Sequence, residues 1–247
     1  MGNRIIDINC DVGEGIGNEA DLFPMISSCN IACGGHAGSK ESIRQSIELA
    51  IKYNVRVGAH PSYPDRENFG RVSMNISDGD LIKSISNQLK LFMTECNELG
   101  ATLHHIKPHG ALYNDFAKCE HLANVFLRAI STYKDKVILY VPYGSVIELL
   151  AKANNFSIMK EAFADRNYNN DLSLVSRKQD NALISNGKDV LEHLVLMSNE
   201  NQVRTVNGGK IPIEADTFCI HGDTPSAFQI LTYITVHLPE HNLQAKP

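Results

Sequence analysis

The stretch Ile5-Ile6-Asp7-Ile8-Asn9-Cys10-Asp11-Val12-Gly13-Glu14 decides how this chain is read. Its β-type start, Ile5–Ile8, runs straight into polar residues. Ile6 and Ile8 alternate with Asp7, Asn9 and Asp11, so an extended strand here has one apolar face and one acidic and amidic face. Strands of a helix-covered parallel sheet ordinarily read as unbroken apolar runs. A buried carboxylate without partners costs several kcal/mol, so the polar face calls for a cavity with its own polar surroundings. A solvated edge strand is the plainer alternative.

The same kind of junction recurs along the chain. Asn30–Cys33 passes into Gly34-Gly35-His36, Val55–Ala59 into His60-Pro61, Leu103–Ile106 into Lys107-Pro108-His109-Gly110, and Thr217–Ile220 into His221-Gly222-Asp223. Two further runs, Lys136–Val141 and Phe156–Lys160, complete seven predicted strands. Predicted helices lie between and after them: Glu19–Ser27, Lys40–Tyr53, Asp78–Leu99, Cys119–Tyr133, Ser145–Asn154, Lys188–Asn199 and Pro225–Leu238. The third is the best marked. Ser77 can cap it, Leu81, Ile85, Leu89 and Phe92 repeat at helical spacing, and Gly100 ends it.

Alternating strands and helices without a composition break imply a single domain over residues 1–247, a closed or nearly closed parallel (β/α) barrel. A hairpin-like appendage is expected over 203–214, turning at Asn207-Gly208-Gly209. In α/β barrels and open α/β sheets, active sites form at the carboxyl ends of the strands. The five charged junctions therefore point to an enzyme.

Composition narrows the class. The 247 residues are 43% hydrophobic and 21% charged, as in soluble globular proteins. A formal charge of −5 and the lack of a Lys/Arg-rich block argue against nucleic acid as a partner. No apolar run reaches the roughly 18–20 residues of a membrane span. The six cysteines are scattered without a Cys-x-x-Cys pair, as expected of reduced thiols in the cytoplasm. Self-association is left open.

Strand alternation puts His105 and Lys107 on one face, and Thr217, Cys219, His221 and Asp223 on one side of the last strand. Pro108 rules out a helical ligand pair from His105 and His109. A single histidine at a strand end is most often structural, but His36, His60, His109 and His221 together point to a site. An ammonium such as that of Lys107 in a barrel mouth needs an anion: a carboxylate, a phosphate or a developing oxyanion. Two polar loops, around Asp65-Arg66 and Asp165-Arg166, offer guanidinium groups for a substrate carboxylate; surface ion pairing is the bland alternative. Walker, dinucleotide and nucleophile-elbow patterns are absent, and no organic cofactor is expected.

Several of these segments together resemble the LamB/YcsF family. The resemblance rests on Asp7–Glu14, Asn30-Ile31-Ala32-Cys33-Gly34-Gly35-His36-Ala37-Gly38, the His60–Arg71 segment, Lys107–Asn114, Phe163-Ala164-Asp165-Arg166 and His221-Gly222-Asp223. Cys10 replaces a usual Ala, Ser176 a usual Pro, and Gly35 a usual Phe, which leaves room beside His36. The resemblance implies a seven-stranded barrel of the glycoside hydrolase/deacetylase type. It also implies ATP-dependent opening of 5-oxo-L-proline to L-glutamate, with 5-oxoprolinase subunits B and C as partners.

On that expectation ATP is a co-substrate accompanied by Mg²⁺. Asp11, Glu14, Lys107, His109 and His221 are the catalytic candidates. Asn9, His36, His60, Asp65, Arg66, His105, Tyr113, Asp165, Arg166 and Asp223 are the substrate-binding candidates. Two other readings stand beside it. One is a metal-dependent amidase or deacetylase without ATP, its ligands Asp11, His36 and His60. The other is a non-catalytic protein that binds the substrate while its partners do the chemistry.

Overall fold

In the computed structural model, which describes residues 2–224 and 226–245, β1 (Arg4–Val12) is the hub of the sheet. The chain continues through α1 (Glu19–Leu22), β2 (Ser28–Ala32), α2 (Lys40–Tyr53), β3 (Arg56–His60), α3 (Asp78–Leu99) and β4 (Leu103–Ile106). Then come α4 (Gly110–Phe116), α5 (Glu120–Ala129), β5 (Ile138–Pro142), α6 (Val146–Ala153), β6 (Ser157–Phe163) and α7 (Gly187–Glu200). The remainder is β7 (Gln202–Arg204), β8 (Lys210–Pro212), β9 (Thr217–Cys219), α8 (Ala227–His237) and β10 (Leu243–Ala245).

Strands β1 to β6 pair in sequence order, and β9 pairs in parallel with both β6 and β1. The ring thus closes as a seven-stranded parallel barrel. β10 adds beside the start of β1, and β7 with β8 forms a separate antiparallel pair.

The helices follow from local chemistry. α2 opens on a reciprocal cap: Ser39 Oγ accepts from the Ser42 amide, and Ser42 Oγ accepts from the Ser39 amide. It buries Ile43, Ile47 and Ala50 at helical spacing. α3 has the expected bounds, with Ser77 capping the Asp80 amide and Gly100 closing it at φ +69°. The predicted Glu19–Ser27 helix shrinks to one turn, because Pro24 cannot continue an α-helix and the chain goes on as a 3₁₀ turn over Phe23–Met25. The predicted start of the last helix at Pro225 lies outside the described residues. Among the described residues, no helix is long and apolar enough to cross a membrane.

The barrel interior is polar from bottom to top. Asp7 Oδ1 accepts from Ser28 Oγ (2.9 Å) and Thr217 Oγ1 (2.5 Å), and its other oxygen pairs with Arg56. One level higher, Asn30 Nδ2 donates to Asn9 Oδ1, and His105 Nε2 donates to Asn30 Oδ1, both at 2.7 Å. His105 stacks on Tyr140 at 4.0 Å. Its ring fills the space beside Gly58 on β3, where a Cβ would stand 2.0 Å from His105 Nε2. Such interior layers are normally apolar. Here every acid and amide of β1 is bonded, which answers the cost of burying it.

Candidate active site at the barrel mouth

Lys107 follows β4 and enters the barrel top, 2% exposed. Its Nζ lies 2.9 Å from Asp11 Oδ1, 2.9 Å from Glu161 Oε1, 3.2 Å from Asn9 Oδ1 and 3.0 Å from Cys219 Sγ. Burial opposes the ammonium charge, but Asp11, Cys219 and Glu161 hold the Lys107 pKa well above its ordinary value. Burial likewise works against the Asp11 carboxylate, yet the facing His60 and Lys107 hold it well below the usual range. The Lys107 ammonium and the Asp11 carboxylate thus favour their charged forms despite their burial.

Beside this group, Glu14, His36, His60 and His109 form a second one. Their nearest donor atoms all lie within 4.8 Å of one another. His36 Nε2 is 3.0 Å from Glu14 Oε1, His60 Nε2 is 2.9 Å from His109 Nδ1, and the His36 and His109 rings stack at 3.6 Å. Burial, then the neighbouring His60, pushes the His36 pKa down to about 2. Burial and the adjacent imidazoles hold His109 well below its ordinary value. Glu14 is pushed well above the usual carboxylate range by burial and by Asp11 and Asp223. These are the residues that could hold a metal. Of the three ligands expected, His36 and His60 belong to the group; Asp11 stands at its edge, its Oδ2 3.4 Å from His60 Nε2. Asp11 falls instead with Cys219 and His221, where the Lys107 ammonium already sits between Asp11 and Cys219.

A cavity of about 420 Å³ opens above, lined by Asp11, His60, Lys107, His109, Glu161 and His221 among others. Tyr113 lines it too, its phenol buried beside Glu161 and raised well above its ordinary pKa by that burial and that charge. A second cavity of about 560 Å³ lies at the amino-terminal ends of β3, β4 and β5, away from the reactive groups.

Several expected contact residues do other work. Asp65 Oδ1 accepts from the Asn68 amide and side chain, closing its own turn. Arg66 is exposed and donates to the carbonyls of Gly34 and Gly38, so neither residue lines the mouth. Arg166 lines the cavity, but its guanidinium is committed to the carbonyls of Val175 and Ala182 and so ties down the loop after β6. Burial and the neighbouring Arg177 lower its pKa to about 10. Asp165 lies below His221, accepting from its amide and Nδ1 and from Thr224, and orients that ring. Asn9 and His105 sit a layer or more beneath the cavity, outside its lining. Asp223 pairs with Arg71 and Arg177 at the rim. Gly35 leaves no room beside His36: a Cβ there would come within 2.3 Å of Ser62 Oγ and 2.5 Å of Gln88 Oε1.

Three site residues escaped the sequence reading: Glu161, Arg71 and Arg177. The predicted sixth strand ends at Lys160, three residues short of the observed end at Phe163. Carried on, its alternation puts Glu161, Phe163 and Asp165 on the inward face. Arg71 and Arg177 line the mouth and share Asp223, with Arg71 also over the Phe69 ring at 4.7 Å.

The architecture and mouth define a seven-stranded parallel barrel with an acid–ammonium–imidazole site at its carboxyl end. The chain belongs to the LamB/YcsF family, whose sequence profile matches residues 6–247. It is 36% identical over 239 residues to the A subunit of 5-oxoprolinase from Haemophilus influenzae (strain PittEE), covering 97% of this chain and 98% of that one. It is 39% identical over 222 residues to the same-named protein of Neisseria meningitidis serogroup C, covering 90% and 91%. The lactam utilization protein of Thermus thermophilus superposes with a TM-score of 0.90 at 30% identity, covering 98% and 99%. A family 4 carbohydrate esterase from Streptomyces lividans shares the fold alone, with a TM-score of 0.50 at 8% identity.

Proposed function

We propose that this chain opens the ring of 5-oxo-L-proline to give L-glutamate in an ATP-coupled reaction, as the A-type component of a 5-oxoprolinase with B and C partners. What carries this reading is the 36–39% identity, over nine-tenths or more of each chain, to proteins named as the A subunit of 5-oxoprolinase. The chemistry of the mouth agrees with it. A five-membered lactam is an unactivated amide. Transfer of the ATP γ-phosphoryl group to its carbonyl oxygen releases ADP and makes the carbon electrophilic. Water then adds to that carbon, the C–N bond breaks as the ring nitrogen gains a proton, and a second water cleaves the acyl phosphate so formed into a carboxylate and inorganic phosphate.

Each step has a matching group. Lys107, fixed between Asp11 and Glu161, supplies a buried positive charge for the developing oxyanion or the phosphoryl group. Asp11 Oδ2 faces His60 and is placed to take a proton from the attacking water. His221, oriented by Asp165, is placed to protonate the ring nitrogen. Arg71 and Arg177 at the rim suit the substrate carboxylate and nucleotide phosphates, and Mg²⁺ would accompany the nucleotide.

The test is ATP hydrolysis dependent on 5-oxoproline, measured with and without candidate partner subunits. Turnover should require the partners and should collapse in Asp11→Asn, which keeps an acceptor for Asn30 and Lys107 but loses the carboxylate. Glutamate release without ATP consumption, or unaltered turnover in Asp11→Asn, would refute the reading.

A further inference from the structure

We propose that Glu14, His36, His60 and His109 form a binding site for one divalent first-row transition ion of the zinc type. The ion is distinct from nucleotide Mg²⁺, and its binding does not depend on the ring-opening reaction.

Two protons decide the matter. His60 Nδ1 lies 2.6 Å from the Lys107 carbonyl oxygen, and His109 Nε2 lies 3.0 Å from that of Phe69. A carbonyl oxygen only accepts, so both of these nitrogens carry hydrogen. In the neutral rings, the opposite nitrogens then present lone pairs. Those two nitrogens, His60 Nε2 and His109 Nδ1, face each other at 2.9 Å. Two acceptors at that distance, buried together, repel unless a cation lies between them.

A shared proton would satisfy that pair alone. The geometry asks for more, because Glu14 Oε1 stands 3.5 Å from His109 Nδ1 and 3.0 Å from His36 Nε2. His36 Nδ1 is buried without a partner, so either His36 tautomer is open to it. Four donors thus lie within 4.8 Å of one another. In tetrahedral zinc sites with bonds of about 2.0–2.1 Å, neighbouring donors lie about 3.3 Å apart, close to the spacings seen here. Imidazole N–H groups fixed on backbone carbonyls are also the usual outer support of metal-bound histidines. Three imidazoles and one carboxylate favour a borderline ion such as Zn²⁺ over the oxygen-seeking Mg²⁺. The Asp11–Cys219–His221 group offers no competing site, since Lys107 Nζ occupies it.

The test uses the full chain. After chelator treatment, Zn²⁺ is titrated by calorimetry, metal content is measured by mass spectrometry, and Co²⁺ is bound for its visible spectrum. About one equivalent of Zn²⁺ should bind, with Mg²⁺ failing to displace it, and Co²⁺ should show the intense bands of a four- or five-coordinate nitrogen–oxygen site. His60→Ala and His109→Ala should each weaken Zn²⁺ binding at least tenfold. Less than 0.1 equivalent at micromolar Zn²⁺ in the folded wild type, or unchanged binding in the folded variants, overturns the proposal. If the variants fail to fold, a Co²⁺ spectrum of six-coordinate oxygen ligation in the wild type overturns it equally.

Discussion

Replacing Lys107 by Ala is expected to destabilise the fold in a pH-dependent way. The ammonium is 2% exposed and lies 2.9 Å from both Asp11 and Glu161. Removing it leaves two buried carboxylates without their shared cation. Breaking a buried pair in this way costs about 3–5 kcal/mol, a large part of the roughly 5–15 kcal/mol total of a typical domain. With an m-value of about 3 kcal/mol/M, a loss of about 4 kcal/mol lowers the urea midpoint by roughly 1.3 M.

The sign with pH follows from Asp11, whose carboxyl lies below its ordinary range in the folded protein. Its stabilising contribution is present above the unfolded value of about 3.9 and is lost as pH falls through the depressed one. In Lys107→Ala that contribution shrinks or reverses, so the gap to wild type is widest near neutrality and narrows below about pH 4. Urea unfolding of wild type, Lys107→Ala and Lys107→Ala/Glu161→Gln at two pH values measures it. The double variant should recover about 1–2 kcal/mol by removing one stranded charge. A loss below about 1 kcal/mol in Lys107→Ala, or a gap constant with pH, would show that the ammonium does not neutralise these carboxylates.

Asp165→Asn should cost about 2–3 kcal/mol above pH 4, fading as pH falls towards 2, because His221 and Thr224 overcome burial and pull the Asp165 pKa down to about 2. Its kcat should fall more than its KM changes, since Asp165 orients His221; thermal melts and kinetics over pH read both effects. Gly58→Ala places a methyl group against the His105 ring and should cost about 1–3 kcal/mol, seen as a lowered Tm. Arg177→Ala should raise the KM for 5-oxoproline or ATP at least tenfold, whereas Arg66→Ala, outside the cavity lining, should leave both within about twofold. Equal effects of the two arginine substitutions would remove the rim from substrate binding.

Local sequence determined the elements. The alternation of Asp7, Asn9 and Asp11 with Ile6 and Ile8 marked a strand facing a polar interior, and the Ser77 cap with Gly100 set both ends of α3. These signals are legible because strand and helix periods, caps and breakers act within a few residues. Only the tertiary structure decided which groups meet. Asp11 on β1, Lys107 just after β4 and Glu161 on β6 lie far apart in the chain, and the closing of β9 onto β1 sets their spacing. The arginines show the same limit. Asp65-Arg66 and Asp165-Arg166 look alike in sequence, yet backbone carbonyls take up Arg66 and Arg166, while Arg71 and Arg177 stand at the rim. A side chain's partner depends on which backbone oxygens the folded loops bring within about 3 Å, and residue type and spacing do not carry that information.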